Sequence, residues 1–212
     1  MDKQNLRLEF NKRLKAFEAL KERAHFLLYE EIKREKIKIH SFQSRIKPID
    51  SLLEKIQRKK IEDPFKDIQD IIGLRVVCLF RSDIQPIKIA IKNVFNVIKE
   101  DNKIDDTAVD VFGYLGIHFI VKFKDCQSKT KESDLRNIPF EIQVMTLGQD
   151  TWAAVSHHLV YKREEDFPHQ LRRNLNALSG LFYVADTQFE ILRNEIQRSR
   201  LEQAPHNNNF KK

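Results

Sequence analysis

Along residues 6–38 apolar side chains recur at helical spacing, at Leu6, Phe10, Leu14, Phe17, Leu20 and then Phe26 and Leu27, with Lys, Arg and Glu between them. No Gly or Pro interrupts the run, so it predicts one or two amphipathic helices whose apolar stripe packs on a core. Pro48 suits the first turn of a helix from about Pro48 to Lys60, which leaves Arg45 and Lys47 in an extended segment just before it. Residues 63–80, DPFKDIQDIIGLRVVCLF, open with a polar lead-in ending at Asp70 and continue as an apolar run broken only by Gly73 and Arg75. Lacking clean alternation, that run reads as a strand buried on both faces. Residues 82–99, which include PIKIAIKNVFNVIK, read as a helix, and DNKIDDTAVDVF as a loop. GYLGIHFIVKF and IPFEIQVMT alternate apolar and polar positions and predict two further strands. TWAAVSHHLVYK then reads as a helix, the stretch from about 168 to 203 as amphipathic helices, and APHNNNFKK as a frayed tail.

Composition narrows this picture. A chain of 212 residues, 41% hydrophobic and 33% charged, fits one core with helical extensions better than two domains. The expected layout is a basic helical extension over residues 1–40, a core over 41–165, C-terminal helices over 166–204 and a tail over 205–212. No apolar run reaches the roughly 18 residues of a membrane span, and the chain is polar from Asp2 onward, so a cytoplasmic location with no membrane partner is expected. Cys78 and Cys126 have neither metal-ligand nor disulfide-framework spacing. The net charge of +7 is unevenly placed: residues 1–60 hold 17 Lys and Arg against 9 Asp and Glu, and the remainder 21 against 22. That asymmetry favours an anionic partner, nucleotide phosphates or nucleic acid, with solvated helix faces accounting for part of it.

Candidate chemistry follows from the polar residues that break these patterns. A cation in an apolar strand needs an anion, so Arg75 either pairs with a nearby carboxylate or faces a bound ligand, with Asp70 at the strand's mouth. On the helix after Pro48, Ser51, Lys55 and Lys59 stand at i, i+4 and i+8 and share a face. With Arg45 and Lys47 at its N-terminal end, that face is either solvated or a cradle for a polyphosphate. In the later strands Tyr114 and His118 share one face, as do Glu141 and Gln143.

The segment Arg45, Lys47, Ser51, Lys55 has the form R-x-K-x-x-x-S-x-x-x-K, and Asp70, Gly73, Arg75 the form D-I-x-G-x-R. Further on stand Gly113, Tyr114 and His118 of a G-Y-x-S-x-H pattern, then Glu141, Ile142, Gln143 and Thr146 of E-I-Q-I-R-T. Trp152, His157 and Tyr161 follow the spacing W-A-x-x-x-H-x-x-x-Y-K. In this order and spacing the chain resembles the RelA/SpoT-type synthetase domain, above all the single-domain small alarmone synthetases, over residues 41–162. The resemblance implies an α+β fold, a mixed sheet of about five strands flanked by helices. It also implies a reaction in which the β,γ-pyrophosphate of ATP moves to a ribose 3′-hydroxyl and AMP leaves. Such transfer relies on positioning and charge neutralisation around a metal-bound polyphosphate. Mg²⁺ takes hard oxygen ligands, for which Asp70 and Glu141 are the pair available.

The roles so implied put Arg45 and Arg75 on either side of the adenine, and Lys47, Ser51, Lys55 and Lys59 on the ATP phosphates. Glu141 is also placed to accept the proton of the attacking hydroxyl, Tyr114 to stack on the acceptor base, and His118, Gln143 and His157 to line the acceptor side. Packing of the helix against the sheet is the competing role for His157 and Trp152. The chain departs from the pattern at Leu115 and Gly116, at Met145 where an Arg is usual, and at Val160 where small synthetases often have Asn. All of these fall on the acceptor half. GDP or GTP is the expected acceptor because it is the commoner one in the family resembled. Losing cations on that half weakens the hold on a free nucleotide's phosphates and suits the 3′ end of tRNA, the acceptor of toxic members of the family, as one alternative. A catalytically silent nucleotide- or RNA-binding relative is the other. An antitoxin or a second copy of the chain stays open as a partner. No upstream constellation of His and Asp suggests a hydrolase, so synthesis without reversal is expected.

Overall fold

The computed structural model describes residues 2–102, 116–124, 137–160 and 168–202. In chain order these form α1 (Lys3–Arg34), β1 (Ser41–Ile46), α2 (Ile49–Lys59), α3 (Pro64–Asp67), β2 (Ile72–Cys78), α4 (Ile84–Val94), β3 (Phe95–Asn102), β4 (Ile117–Phe123), β5 (Phe140–Thr146), α5 (Leu147–Val160) and α6 (His169–Glu202). The strands form one five-stranded sheet in the order β1-β2-β5-β4-β3, in which β2 and β5 run parallel and every other pair antiparallel. This is the mixed α+β architecture expected from the sequence.

The N-terminal run is a single helix that buries Leu6, Phe10, Phe17, Leu20, Ala24, Leu28 and Ile32. These join Leu74, Val76, Ile142, Val144 and Phe119 of the sheet and Ile87 and Ile91 of α4 in one core cluster, so residues 1–40 supply part of that core. Phe26, grouped by its sequence spacing with the apolar stripe, is 54% exposed, because the 3.6-residue period runs through Ala24 and Leu28 instead. Three aromatic rings close the other end of the core. Phe95 meets Phe140 edge-on at 5.2 Å and Phe123 at 5.7 Å.

Two expectations are corrected. The helix read through residues 82–99 stops at Val94, and Phe95 begins β3, which runs through Asp101 and Asn102 of the expected loop. Antiparallel pairing with β4 and the burial of Phe95 among aromatic rings override the helical period of NVFNVIK. A register shift between Val97 and Lys99 turns Ile98 outward. Nor is β2 buried on both faces along its whole length. Val77 is covered where α5 packs on β2 and β5, whereas Gly73 and Arg75, at the opposite end of the same face, are only half-buried.

Candidate active site

The open half of that face is built as two neighbouring rungs across the sheet. One holds Arg45, Gly73, Glu141 and Ile120; the next holds Gln43, Arg75, Gln143, His118 and Asp101. Paired residues on adjacent strands present their side chains on the same face, and so do positions two apart on one strand. Four strands thereby deliver Arg45, Arg75, Glu141, Gln143 and His118 to one surface.

Their polar atoms are linked end to end. His118 Nδ1 lies 2.9 Å from Glu141 Oε1, and Gln143 Nε2 donates to Glu141 Oε2 at 2.7 Å. Gln143 Oε1 accepts from Arg75 Nε at 3.0 Å and Nη2 at 2.9 Å, and Arg75 Nη1 donates to Asp150 Oδ1 at 2.8 Å. The cation in the strand therefore has its carboxylate, Asp150, in the first turn of α5. Burial pushes the Glu141 carboxyl up, but the hydrogen bond and charge of His118 and the Gln143 amide outweigh it and hold it below its ordinary 4.5.

Beside these rungs, α2 and the end of β1 wall a cavity of about 570 Å³ lined by Arg45, Lys47, Ser51, Glu54, Lys55, Arg58, Lys59, Asp70 and His157. The i, i+4, i+8 face of α2 therefore looks into a concave site and not simply into solvent. Arg45 and Asp70 also line a smaller adjoining hollow, with Gly73, Arg75, Glu141 and Gln143, so cavity and rungs are continuous. Lys47 and Lys55 donate to the same oxygen, Asp70 Oδ2, at 2.5 and 2.7 Å. Burial raises the Asp70 pKa, the two ammonium groups lower it, and the net direction is down, so the carboxylate is ionised at neutral pH. Lys47 is also lowered: burial is the largest cause and the neighbouring Lys55 charge acts with it, against the hydrogen bond and charge of Asp70 and the charge of Glu141.

Asp70 Oδ1, by contrast, is buried and has no hydrogen-bond partner. An acceptor so placed is costly to leave unsatisfied and suits a cation. Gly73 adds room: a Cβ built there meets nothing within 4 Å, leaving a gap on the rung between Arg45 and Glu141. Two carboxylates around such a gap fit Mg²⁺, which commonly takes one or two carboxylates and fills its remaining positions with water and phosphate oxygens. Among the described residues no group of three or more His, Cys, Asp or Glu converges as a self-sufficient metal site.

Of the other residues singled out in the sequence, His157 is exposed and lines the cavity with Arg45. Partial desolvation at the cavity wall, then the charges of Arg45 and Arg75, hold its pKa below 6.5. Trp152 is the side chain that packs α5, and its Nε1 donates to Leu175 O of α6 at 3.4 Å. Tyr114, Gly113, Leu115, Tyr161, Cys126 and the side chain of Val160 lie outside the described residues. Met145 is only 2% exposed and stands beside Val77, beneath α5. Gly116 is required by packing, since a Cβ there would lie 2.4 Å from Val144 O and 2.8 Å from Met145 Cβ.

The sequence reading missed Glu54 and Arg58, which line the cavity, and Asp150, which pairs with Arg75. Asp150 and His157 are seven apart on α5 and share its cleft-facing stripe, a spacing that links them once either is placed. No helix among the described residues is long and apolar enough to cross a membrane.

Residues 44–166 match the family model described as the region found in RelA/SpoT proteins. The GTP pyrophosphokinase YjbM of Bacillus subtilis (strain 168) is 31% identical over 159 residues, 74% of this chain and 72% of that protein. The crystal structure of small alarmone synthetase 1 from Bacillus subtilis bound to its product pppGpp superposes with a TM-score of 0.74 and 28% identity, covering 92% of this chain and all of that one. The structure of the same synthetase bound to AMPCPP gives 0.64 and 28%, covering 93% of this chain and all of that one. Matched to the family over more than half its length, and bringing Arg45, Lys47, Ser51, Lys55, Asp70, Arg75, Glu141 and Gln143 around one continuous cleft, the chain belongs to the RelA/SpoT family.

Proposed function

We propose that the chain is an ATP-dependent pyrophosphotransferase that moves the β,γ-pyrophosphate of ATP to the ribose 3′-hydroxyl of GDP or GTP and releases AMP. The observation that carries this reading is the continuity of a cation-lined cavity, holding Lys47, Ser51, Lys55 and Lys59, with a hollow lined by Asp70 and Glu141. Relatives named as a GTP pyrophosphokinase, and one solved with AMPCPP and with its product pppGpp, support it.

In this reading Lys47, Ser51, Lys55 and Lys59 bind the polyphosphate, and the planar guanidinium groups of Arg45 and Arg75 suit contact with the adenine and its phosphates. Asp70 and Glu141 would hold Mg²⁺. When bound, the ion neutralises phosphate charge that builds up during transfer. The acceptor 3′-oxygen attacks Pβ; the new O–Pβ bond forms as the bond from Pβ to the bridging oxygen of AMP breaks. The hydroxyl proton passes to the Glu141 carboxylate, which His118 and Gln143 keep ionised and oriented. The presence of both Asp70 and Glu141 on one hollow also argues against a silent relative.

Incubation with γ-labelled ATP and, in separate arms, GDP, GTP or deacylated tRNA tests the reading. Label on the guanine nucleotide with release of AMP is the expected result, and Asp70→Ala and Glu141→Ala each reduce it by about a hundredfold or more. Label on tRNA would replace the acceptor and keep the chemistry. If no arm acquires label and no AMP appears, the transferase reading fails.

A further inference from the structure

Asp150 takes no part in the chemistry above, yet it ends the hydrogen-bonded chain that crosses the site. Three nitrogens of Arg75 are engaged, Nε and Nη2 by Gln143 Oε1 and Nη1 by Asp150 Oδ1. Because the guanidinium fork is rigid and planar, these contacts fix its plane as well as its position. They also fix the Gln143 amide. A guanidinium only donates and a carboxylate only accepts, so the amide oxygen must face Arg75 and its nitrogen must face Glu141. A flipped amide would oppose N–H to N–H on one side and oxygen to oxygen on the other.

Asp150 reaches this arrangement from a different element, the first turn of α5, while Arg75, Gln143 and Glu141 come from β2 and β5. Its side chain is 25% exposed and that of Arg75 30%, so the pair is partly shielded from water; it stands outside the core cluster, with Arg75 lining the hollow. We propose that Asp150 is a positioning residue for the transfer reaction: its carboxylate aligns the Arg75 guanidinium against bound ATP and, through Gln143, steadies the Glu141 carboxylate. The inference rests on the transferase reading above.

AMPCPP serves as the binding probe, by calorimetry, alongside steady-state kinetics and thermal melts of the wild type, Asp150→Ala and Asp150→Asn. Loss of a charge-assisted hydrogen bond to a ligand-contacting cation raises the AMPCPP Kd and the KM for ATP about tenfold in Asp150→Ala, while the fold stays intact. Asp150→Asn keeps an acceptor oxygen and falls between. In an Arg75→Ala background, Asp150→Ala changes Kd by less than about twofold, because a residue acting through Arg75 has nothing left to align. An unchanged Kd and KM in Asp150→Ala, or a loss that adds in full to that of Arg75→Ala, overturns the proposal. Wild-type protein that neither binds AMPCPP nor transfers label overturns the transferase reading and this inference with it. Wild-type binding and transfer with a silent Asp150→Ala overturns the inference alone.

Discussion

Gly73 stands on the rung between Arg45 and Glu141, where a side chain would project into the gap that the proposed chemistry uses. Its φ is not positive, so the backbone itself does not demand glycine. Gly73→Ala is therefore expected to keep or raise stability, by up to about 1 kcal/mol through the lower entropy of the unfolded chain. It should nevertheless reduce pyrophosphate transfer about tenfold or more by crowding the site. Urea denaturation and the labelled-ATP assay, run on the same preparation, check the two signs. Loss of stability with activity retained would mean that the glycine serves the strand and not the site. At this scale Asp70, Arg75 and Glu141 were legible because each interrupts or flanks an apolar pattern. Asp150 was not, because an acid in the first turn of a helix has an ordinary reason to be there, the helix dipole.

Among the elements, β4 begins where the chain departs from the family pattern. At Gly116 the pattern resembled in the sequence has Ser, yet here the strand starts so close to β5 that a Cβ would meet the Val144 carbonyl. Gly116→Ser is expected to destabilise the fold by about 1–3 kcal/mol, the usual range for overpacking against a backbone that cannot yield. The urea midpoint measures it; a neutral substitution would show that β4 can shift without cost. The boundary between α4 and β3 makes a related point. The residues after Val94 carry a helical period and a plausible strand composition at once, and Phe95 goes to the strand because Phe123 and Phe140 are waiting across the sheet. The isolated segment contains no record of those partners.

At the scale of the whole molecule, α6 is clamped to the β2–α4 junction along one stripe. Arg81 bonds Thr187 and lies over Tyr183, the Ser82 N–H donates to Glu190, and Arg193 bonds Asp83 at 2.7 Å while covering the Phe80 ring. At the near end the Thr146 hydroxyl donates to buried Asp186, and Gly148 lets α6 approach that closely. Arg193→Ala leaves the Asp83 carboxylate buried without this partner. It should speed hydrogen exchange in α6 about tenfold while the sheet amides stay protected. Uniform acceleration across sheet and helix would mean that α6 and the core open together. The sequence by itself determined the periods of the helices and strands, the excess of cations before residue 60 and the spacing of the motif residues, because each is a local property of the chain. Tertiary structure alone decided that β2 pairs in parallel with β5, which brings Arg75 against Gln143 and Gly73 against Glu141. It also decided that α5 covers Val77 and Met145 while leaving Arg75 to Asp150. Side-chain direction along a strand follows from the chain, but which strand lies alongside depends on burying one shared core, and that sum runs over the whole molecule.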